Sequence, residues 1–281
     1  MRPVLPIARS WSAVEHTRAG TVPWYVAYWI LKAILTPFLY LFWRVRVEGA
    51  EHIPTDGPAI LAANHQSFCD SFFLPLVVPR RVTYVAKAEY FDSWRTAWFF
   101  RAAGQIPLRR DGGDASQRAL DTATEVLDAG GLLGIYPEGT RAPDQRLHKG
   151  HTGVCRLATA CRVPVVPVGL IGTRRVQPPG SRVMRPFHTV TVRFGPALDL
   201  QADPGDPASL RRATDELMAA IARLSGQEYV HEYARRSSRP EPDEVGSDGE
   251  SDLVEYRPPR PIRLDQVVTE RKHHVHTDPL A

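Results

Sequence analysis

Pro58-Ala59-Ile60-Leu61-Ala62-Ala63-Asn64-His65-Gln66-Ser67-Phe68-Cys69-Asp70 begins with six residues that carry no polar side chain and then turns polar at once. A short, unbroken apolar run that ends on turn-formers reads as a strand buried on both faces. The next stretch, Asp70 to Val77, holds Phe72, Phe73, Leu74 and Leu76 and reads as a helix. Strand, turn and helix in so few residues are the opening of a strand-helix-strand unit. The polar turn then sits at the carboxyl end of its strand, where open α/β sheets bind their ligands.

The same alternation spreads outward in both directions. Val82 to Ala86 and Ile106 to Leu108 are strand-like, and Ser93 starts a helix that Gly104 stops. Asp114 and Gln117 have the spacing of a capping box, ahead of Leu120, Ala123, Val126 and Leu127 on one helix face and Gly130-Gly131 at its end. Leu132 to Tyr136 and Val163 to Val168 read as strands around a helix from Thr152 to Arg162, Thr189 to Phe194 alternates as a strand, and Asp206-Pro207 caps a last helix. The expected fold is α/β, a largely parallel central sheet flanked by helices over residues 46–234. It is preceded by an N-terminal membrane-associating helical segment, 1–45, and followed by a disordered tail, 235–281, rich in proline and acid.

The chain has 281 residues, 43% hydrophobic and 23% charged, which excludes a wholly disordered protein and a multi-span transporter. Cys69, Cys155 and Cys161 form no C-x-x-C pair, so neither a disulfide framework nor a zinc cage is expected. The arginines that make the net charge +4 are dispersed rather than striped with aromatics, so nucleic acid is not an expected partner. Much of the positive surplus flanks the apolar run from Val22 to Trp43, whose one charge is Lys32. At ~1.5 Å per residue this run reaches ~33 Å, long enough to span a bilayer. Pro37, eight aromatics and arginines on both sides (Arg9 and Arg18, Arg44 and Arg46) instead favour a broken helix lying in or dipping into one leaflet.

Two constellations carry chemistry. His65 and Asp70 would stand about 140° apart on one helix, so they meet only if His65 lies in the turn and Asp70 inside the helix, with Asn64 or Ser67 as cap. An imidazole oriented in this way is a general base. Tyr136-Pro137-Glu138-Gly139-Thr140-Arg141 follows another strand and falls at the same sheet edge. Gly139 permits a tight turn, Thr140 offers a hydroxyl, Arg141 presents a planar fork for phosphate, and Glu138 either holds that arginine or binds an acceptor hydroxyl. Lys87 and Arg110 end two further strands as candidate phosphate ligands, and Lys149 is a weaker one. No Gly-x-Ser-x-Gly elbow occurs, which argues against a serine hydrolase.

Asn-His-x-Ser-x-x-Asp at 64–70 and Pro-Glu-Gly-Thr-Arg at 137–141, in this order, resemble the glycerolipid acyltransferase family over roughly residues 40–225. The resemblance implies transfer of a fatty acyl group from acyl-CoA or acyl carrier protein to the 2-hydroxyl of lysophosphatidic acid, giving phosphatidic acid for phospholipid synthesis. It implies His65 and Asp70 as catalytic pair, Glu138, Gly139, Thr140 and Arg141 as acceptor-binding residues, and Arg110 with Lys87 on the phosphate. Membrane lipids are the implied surroundings, on the cytoplasmic face, with no metal and no resident cofactor. Tyr136 stands where the family more often has Phe, Ala142 where it has Ser, and Arg109 where it has Asp. Glycerol 3-phosphate, a lyso-phospholipid or a lyso-aminolipid are alternative acceptors, and a catalytically inactive membrane scaffold is the alternative outside enzymes.

Overall fold

A computed structural model describes residues 24–87, 92, 94–108, 115–181 and 183–235. In chain order these form α1 (Trp24–Phe42), β1 (Arg44–Glu48), β2 (Ala59–Ala63), α2 (Asp70–Val77), β3 (Val82–Lys87), α3 (Trp94–Ala102) and β4 (Gln105–Leu108). Then follow α4 (Ala115–Asp128), β5 (Leu132–Ile135), α5 (Gly153–Cys161), β6 (Val165–Ile171), α6 (Thr173–Val176), β7 (Thr189–Phe194) and α7 (Pro207–Ser225).

The strands make one sheet in the order β1-β7-β6-β2-β5-β3-β4, parallel throughout except for the antiparallel pair β6 and β7. β2 lies near its middle, with Ile60 in register with Val165 on one side and Leu133 on the other. All five of its residues are fully buried because helices cover both faces. Ala59, Leu61 and Ala63 pack with Phe73, Val168 and Val192, while Ile60 and Ala62 pack with Leu127, Leu157 and Leu217. Full burial of a Leu or Ile side chain contributes ~1.5–3 kcal/mol, so the strand that carries the His65 turn is anchored from above and below.

Asp206 caps α7 as its sequence suggests, accepting the Ala208 and Ser209 N–H groups at 2.9 and 3.1 Å. Elsewhere the structure corrects the sequence reading. The expected capping box falls on Asp114, outside the described residues; the Gln117 amide donates to Asp121 at 2.9 Å. β6 runs on to Ile171, three residues past the expected end. β1, Arg-Val-Arg-Val-Glu, is a half-exposed edge strand that pairs with β7, so the expected boundary between 45 and 46 falls inside a strand.

α1 passes through Pro37 as one helix rather than breaking there. It rests on α2 and α3, with Tyr28 and Leu39 turned inward. Lys32, the single charge of the apolar run, donates to the Pro75 carbonyl at 2.9 Å and to the Val78 carbonyl. A cation at a helix C-terminus meets both the unpaired carbonyls and the negative end of the dipole. Burial pulls its ammonium down to about 8. Val26, Ile30, Ile34, Phe38 and Leu41 form an exposed stripe along the outer side of α1. No described helix is both long and apolar enough to cross a membrane. Residues 1–23 and 236–281, which include half of the expected N-terminal charge surplus and nearly all of the expected tail, lie outside the described residues.

Candidate active site

β2 leaves the sheet after Ala63, and Asn64 continues its ladder with a side chain. Oδ1 accepts the Leu170 N–H at 2.7 Å and Nδ2 donates to the Leu170 carbonyl at 2.9 Å. A primary amide offers the same donor and acceptor as a peptide unit, so it replaces a backbone rung while the main chain turns away. His65 is the first residue released.

Its main chain is fixed on both sides. The His65 N–H donates to Glu138 Oε1 at 2.9 Å, and its carbonyl accepts the Ala142 N–H at 2.8 Å. The imidazole stacks on Tyr136 at a centroid distance of 3.9 Å and 10° between planes. Nδ1 lies 2.9 Å from Asp70 Oδ2, with 15% of the histidine side chain and none of the aspartate exposed. The same Asp70 oxygen accepts the Gln66 and Ser67 N–H groups at 2.7 and 2.8 Å. A carboxylate only accepts hydrogen bonds, so Nδ1 donates, which in a neutral imidazole leaves the lone pair on Nε2.

The pair meets as the spacing allowed, but without the expected caps. Asn64 serves the sheet, and Ser67 Oγ donates to the Gln177 carbonyl at 2.8 Å. Asp70 itself, first residue of α2, reaches back to hold the turn. Its neighbour Cys69 is inert: burial first, and then the adjacent Asp70 charge, push its thiol up to about 12.

Behind His65 the stack continues. Tyr84 lies 5.6 Å from Tyr136 and 22° from parallel, in space that Gly134 keeps open, since a Cβ there would come within 2.4 Å of the Tyr84 ring. The hydroxyl of Tyr136, absent from the more usual Phe, shares a hydrogen bond with Ser71 Oγ at 3.2 Å. Burial drives both tyrosine phenols well above their ordinary range, so they remain neutral.

The loop after β5 lies against the His65 turn, as its position at the same sheet edge required. Glu138 makes main-chain contacts that its place in the motif does not announce. It is buried, and its two oxygens are occupied by main-chain donors, His65 N–H on Oε1 and His148 N–H on Oε2, each at 2.9 Å. Burial raises its carboxyl to about 7 against the pull of these two bonds. It holds the histidine turn in place. Gly139 turns the chain at φ +72° beside His151. Thr140 and Arg141 follow, the Arg141 guanidinium 6.0 Å from the Phe68 ring centre.

Lys87 ends β3 at this edge with its backbone in register with Leu108, while Arg110 lies outside the described residues. Lys149 Nζ stands 5.3 Å over the Tyr233 ring. Three contributors escaped the sequence reading: the Asn64 amide, the Ala142 N–H, and His148, which donates to Glu138 while its Nε2 meets Asp144 at 2.8 Å. Among the described residues, no three His, Cys, Asp or Glu side chains gather as metal ligands.

Residues 44–171 match the family described as Acyltransferase. A chloroplastic 1-acyl-sn-glycerol-3-phosphate acyltransferase of Arabidopsis thaliana is 33% identical over 144 residues, 51% of this chain and 40% of the relative. The human 1-acyl-sn-glycerol-3-phosphate acyltransferase alpha is 32% identical over 141 residues, half of each chain. This chain thus spans about half or less of the length of those two curated relatives. The crystal structure of the 1-acyl-sn-glycerophosphate (LPA) acyltransferase PlsC from Thermotoga maritima aligns with a TM-score of 0.57 at 27% identity, over 72% of this chain and 79% of that one. The matched segment starts at β1 and ends at β6, enclosing both His65 with Asp70 and the Glu138 loop. Residues 44–171 of this chain thus resemble the acyltransferase domain in sequence, and the fold that carries them is shared with PlsC.

Proposed function

We propose that this protein transfers a fatty acyl group from acyl-CoA or acyl carrier protein to the 2-hydroxyl of 1-acylglycerol 3-phosphate, making phosphatidic acid. The observation that carries the proposal is the 2.9 Å contact between His65 Nδ1 and Asp70, in a turn fixed at the sheet edge beside the Glu138 loop. His65 Nε2 takes the proton of the 2-hydroxyl as that oxygen attacks the thioester carbonyl. The tetrahedral intermediate collapses with cleavage of the carbon–sulfur bond, and the imidazolium returns its proton to the departing thiolate. Asp70 fixes the tautomer and stabilises the cation, and a positioned base of this kind contributes typically ~10²–10⁴-fold. Base, hydroxyl and thioester complete the reaction, so neither metal nor resident cofactor enters the proposal.

Gly139, Thr140 and Arg141 line the acceptor, with Arg141, Lys87 and Arg110 on its phosphate, while Glu138 supports His65 from beneath. Both substrates carry long acyl chains, and the exposed stripe of α1 supports a protein that lies on the membrane surface, here assigned to the cytoplasmic face. The names of the relatives favour lysophosphatidic acid over the other acceptors. The test is conversion of lysophosphatidic acid and acyl-CoA or acyl carrier protein to phosphatidic acid by purified protein in detergent or vesicles. His65→Ala should abolish it while leaving thermal unfolding cooperative. Full activity of that variant would overturn the mechanism, and turnover of a neutral acceptor alone would overturn the substrate assignment.

A further inference from the structure

The connection from α6 to β7 leaves the same sheet edge as the His65 turn, and acyl transfer makes no use of its side chains. Val183 and Phe187 are 72% and 71% exposed, among the most exposed large apolar residues described. Neither is part of a frayed loop. The Phe187 N–H donates to the Phe42 carbonyl at 2.6 Å, Trp43 Nε1 donates to the Arg185 carbonyl at 2.8 Å, and the Arg185 N–H donates to Val176 at 2.7 Å, with Met184 packed on the core between them. Phe187 is held at φ +64°, a region that a bulky aromatic seldom occupies. A strained backbone that presents an aromatic ring outward is the mark of a contact made with something else.

Beside this rim lies a groove of about 310 Å³ lined by Gln145, Arg174, Arg175, Pro178, Arg185 and His188. Arg174 is committed to the carbonyls of Ala142 and Pro143 at 2.8 and 2.7 Å. Arg175 and Arg185 have no side-chain hydrogen bond or ion pair with any described residue, and no acid lines the groove. Apolar side chains projecting beside arginines that meet no acid among the described residues match the layering of a bilayer surface, acyl chains under phosphate.

We propose that the Val183–Phe187 loop is a second membrane contact: Val183 and Phe187 enter an anionic bilayer beside the carboxyl end of α1, and Arg175 with Arg185 bind a lipid phosphate in the groove. The inference rests on the reading that α1 lies on the membrane. One helix on a surface leaves the protein free to roll about that helix. A contact off its axis removes the freedom and turns the edge that carries His65 toward the headgroups.

The test is co-sedimentation of the full chain with phosphatidylcholine vesicles, with and without phosphatidylglycerol. The Val183→Ser/Phe187→Ser pair should weaken binding to both vesicles by ~10-fold or more. The Arg175→Gln/Arg185→Gln pair should weaken it by about tenfold on anionic vesicles only, with the KM for acyl-CoA unchanged. Melting temperatures within about two degrees of the parent would certify the fold. If Ile34→Asp/Leu41→Asp in α1 abolishes binding while both loop pairs bind as the parent does, the loop inference fails and the α1 reading stands. If the parent binds neither vesicle, both fail. If the arginine pair binds vesicles normally and raises the KM for acyl-CoA about tenfold, the groove belongs to the donor's phosphates and the lipid assignment is overturned.

Discussion

Two connections leave the carboxyl edge of the sheet side by side, and they are built on opposite principles. In the turn from Asn64 to Asp70, Asn64, Gln66, Ser67, Cys69 and Asp70 are buried, and one aspartate oxygen joins the imidazole to two main-chain N–H groups. In the connection from Gln177 to His188 the main chain is tied just as firmly, yet Val183, Arg185 and Phe187 stand exposed. On the proposed function and the proposed loop contact, the difference separates two demands on one edge. Proton transfer needs a side chain with a single orientation, which only surrounding bonds provide. Contact with a fluid surface needs side chains that the protein itself leaves unused.

That division can be broken by substitutions in the turn, which should damage chemistry and leave vesicle binding intact. The largest effect is expected for Asp70→Ala, which leaves His65 Nδ1 and two main-chain N–H groups without their acceptor. Its kcat should fall ~10²–10⁴-fold, with vesicle co-sedimentation as in the parent; a parallel loss of sedimentation would break the comparison.

Next comes Glu138. Its carboxyl titrates at about 7 in the fold against 4.5 ordinarily. Below about pH 4.5 folded and unfolded chains are both protonated there. Between the two values only the folded chain keeps the proton, so stability falls as pH rises through the window, by about 3 kcal/mol in all. An amide does not titrate, so Glu138→Gln should flatten this slope, as read from urea midpoints at about pH 5 and pH 8. An unchanged slope would show that another group carries it.

Lys32→Met should lower stability by about 1–2 kcal/mol, because two carbonyls at the end of α2 lose a charged donor; the melting temperature reports it. The smallest effect belongs to Tyr136→Phe. It keeps the ring under His65 and removes the hydroxyl that meets Ser71, so stability should drop by about 1 kcal/mol or less and kcat by less than about fivefold. A loss comparable to that of Asp70→Ala would mean that the hydroxyl, not the ring, positions the base.

The parts of the molecule that sequence made legible are those whose cause is local. The apolar run into β2, the Asp206-Pro207 cap and the two polar motifs are punctuated by their own residues. β1 escaped because five alternating residues make an edge strand only when β7, more than 140 positions away, is there to pair with them. α6 escaped because a four-residue helix behind Gly172 has too little length for a pattern. The pairing of His65 with Asp70 was legible as geometry, whereas the role of Glu138 was not. Its partners are main-chain N–H groups, which every residue but proline possesses and no sequence distinguishes. The same holds for Asn64, whose partner Leu170 is marked only by its place in the sheet.

The bond from Lys32 has a mechanical consequence. α2 is eight residues long, a strut of ~12 Å, with the Asp70 carboxylate at one end and the ammonium of α1 clasped at the other. A displacement of α1 along this axis would therefore press on α2 and, through it, on Asp70. On the proposed reading of α1 as a helix lying on a membrane, lipid packing around it would bear on the gap between carboxylate and imidazole as a load bears on a lever.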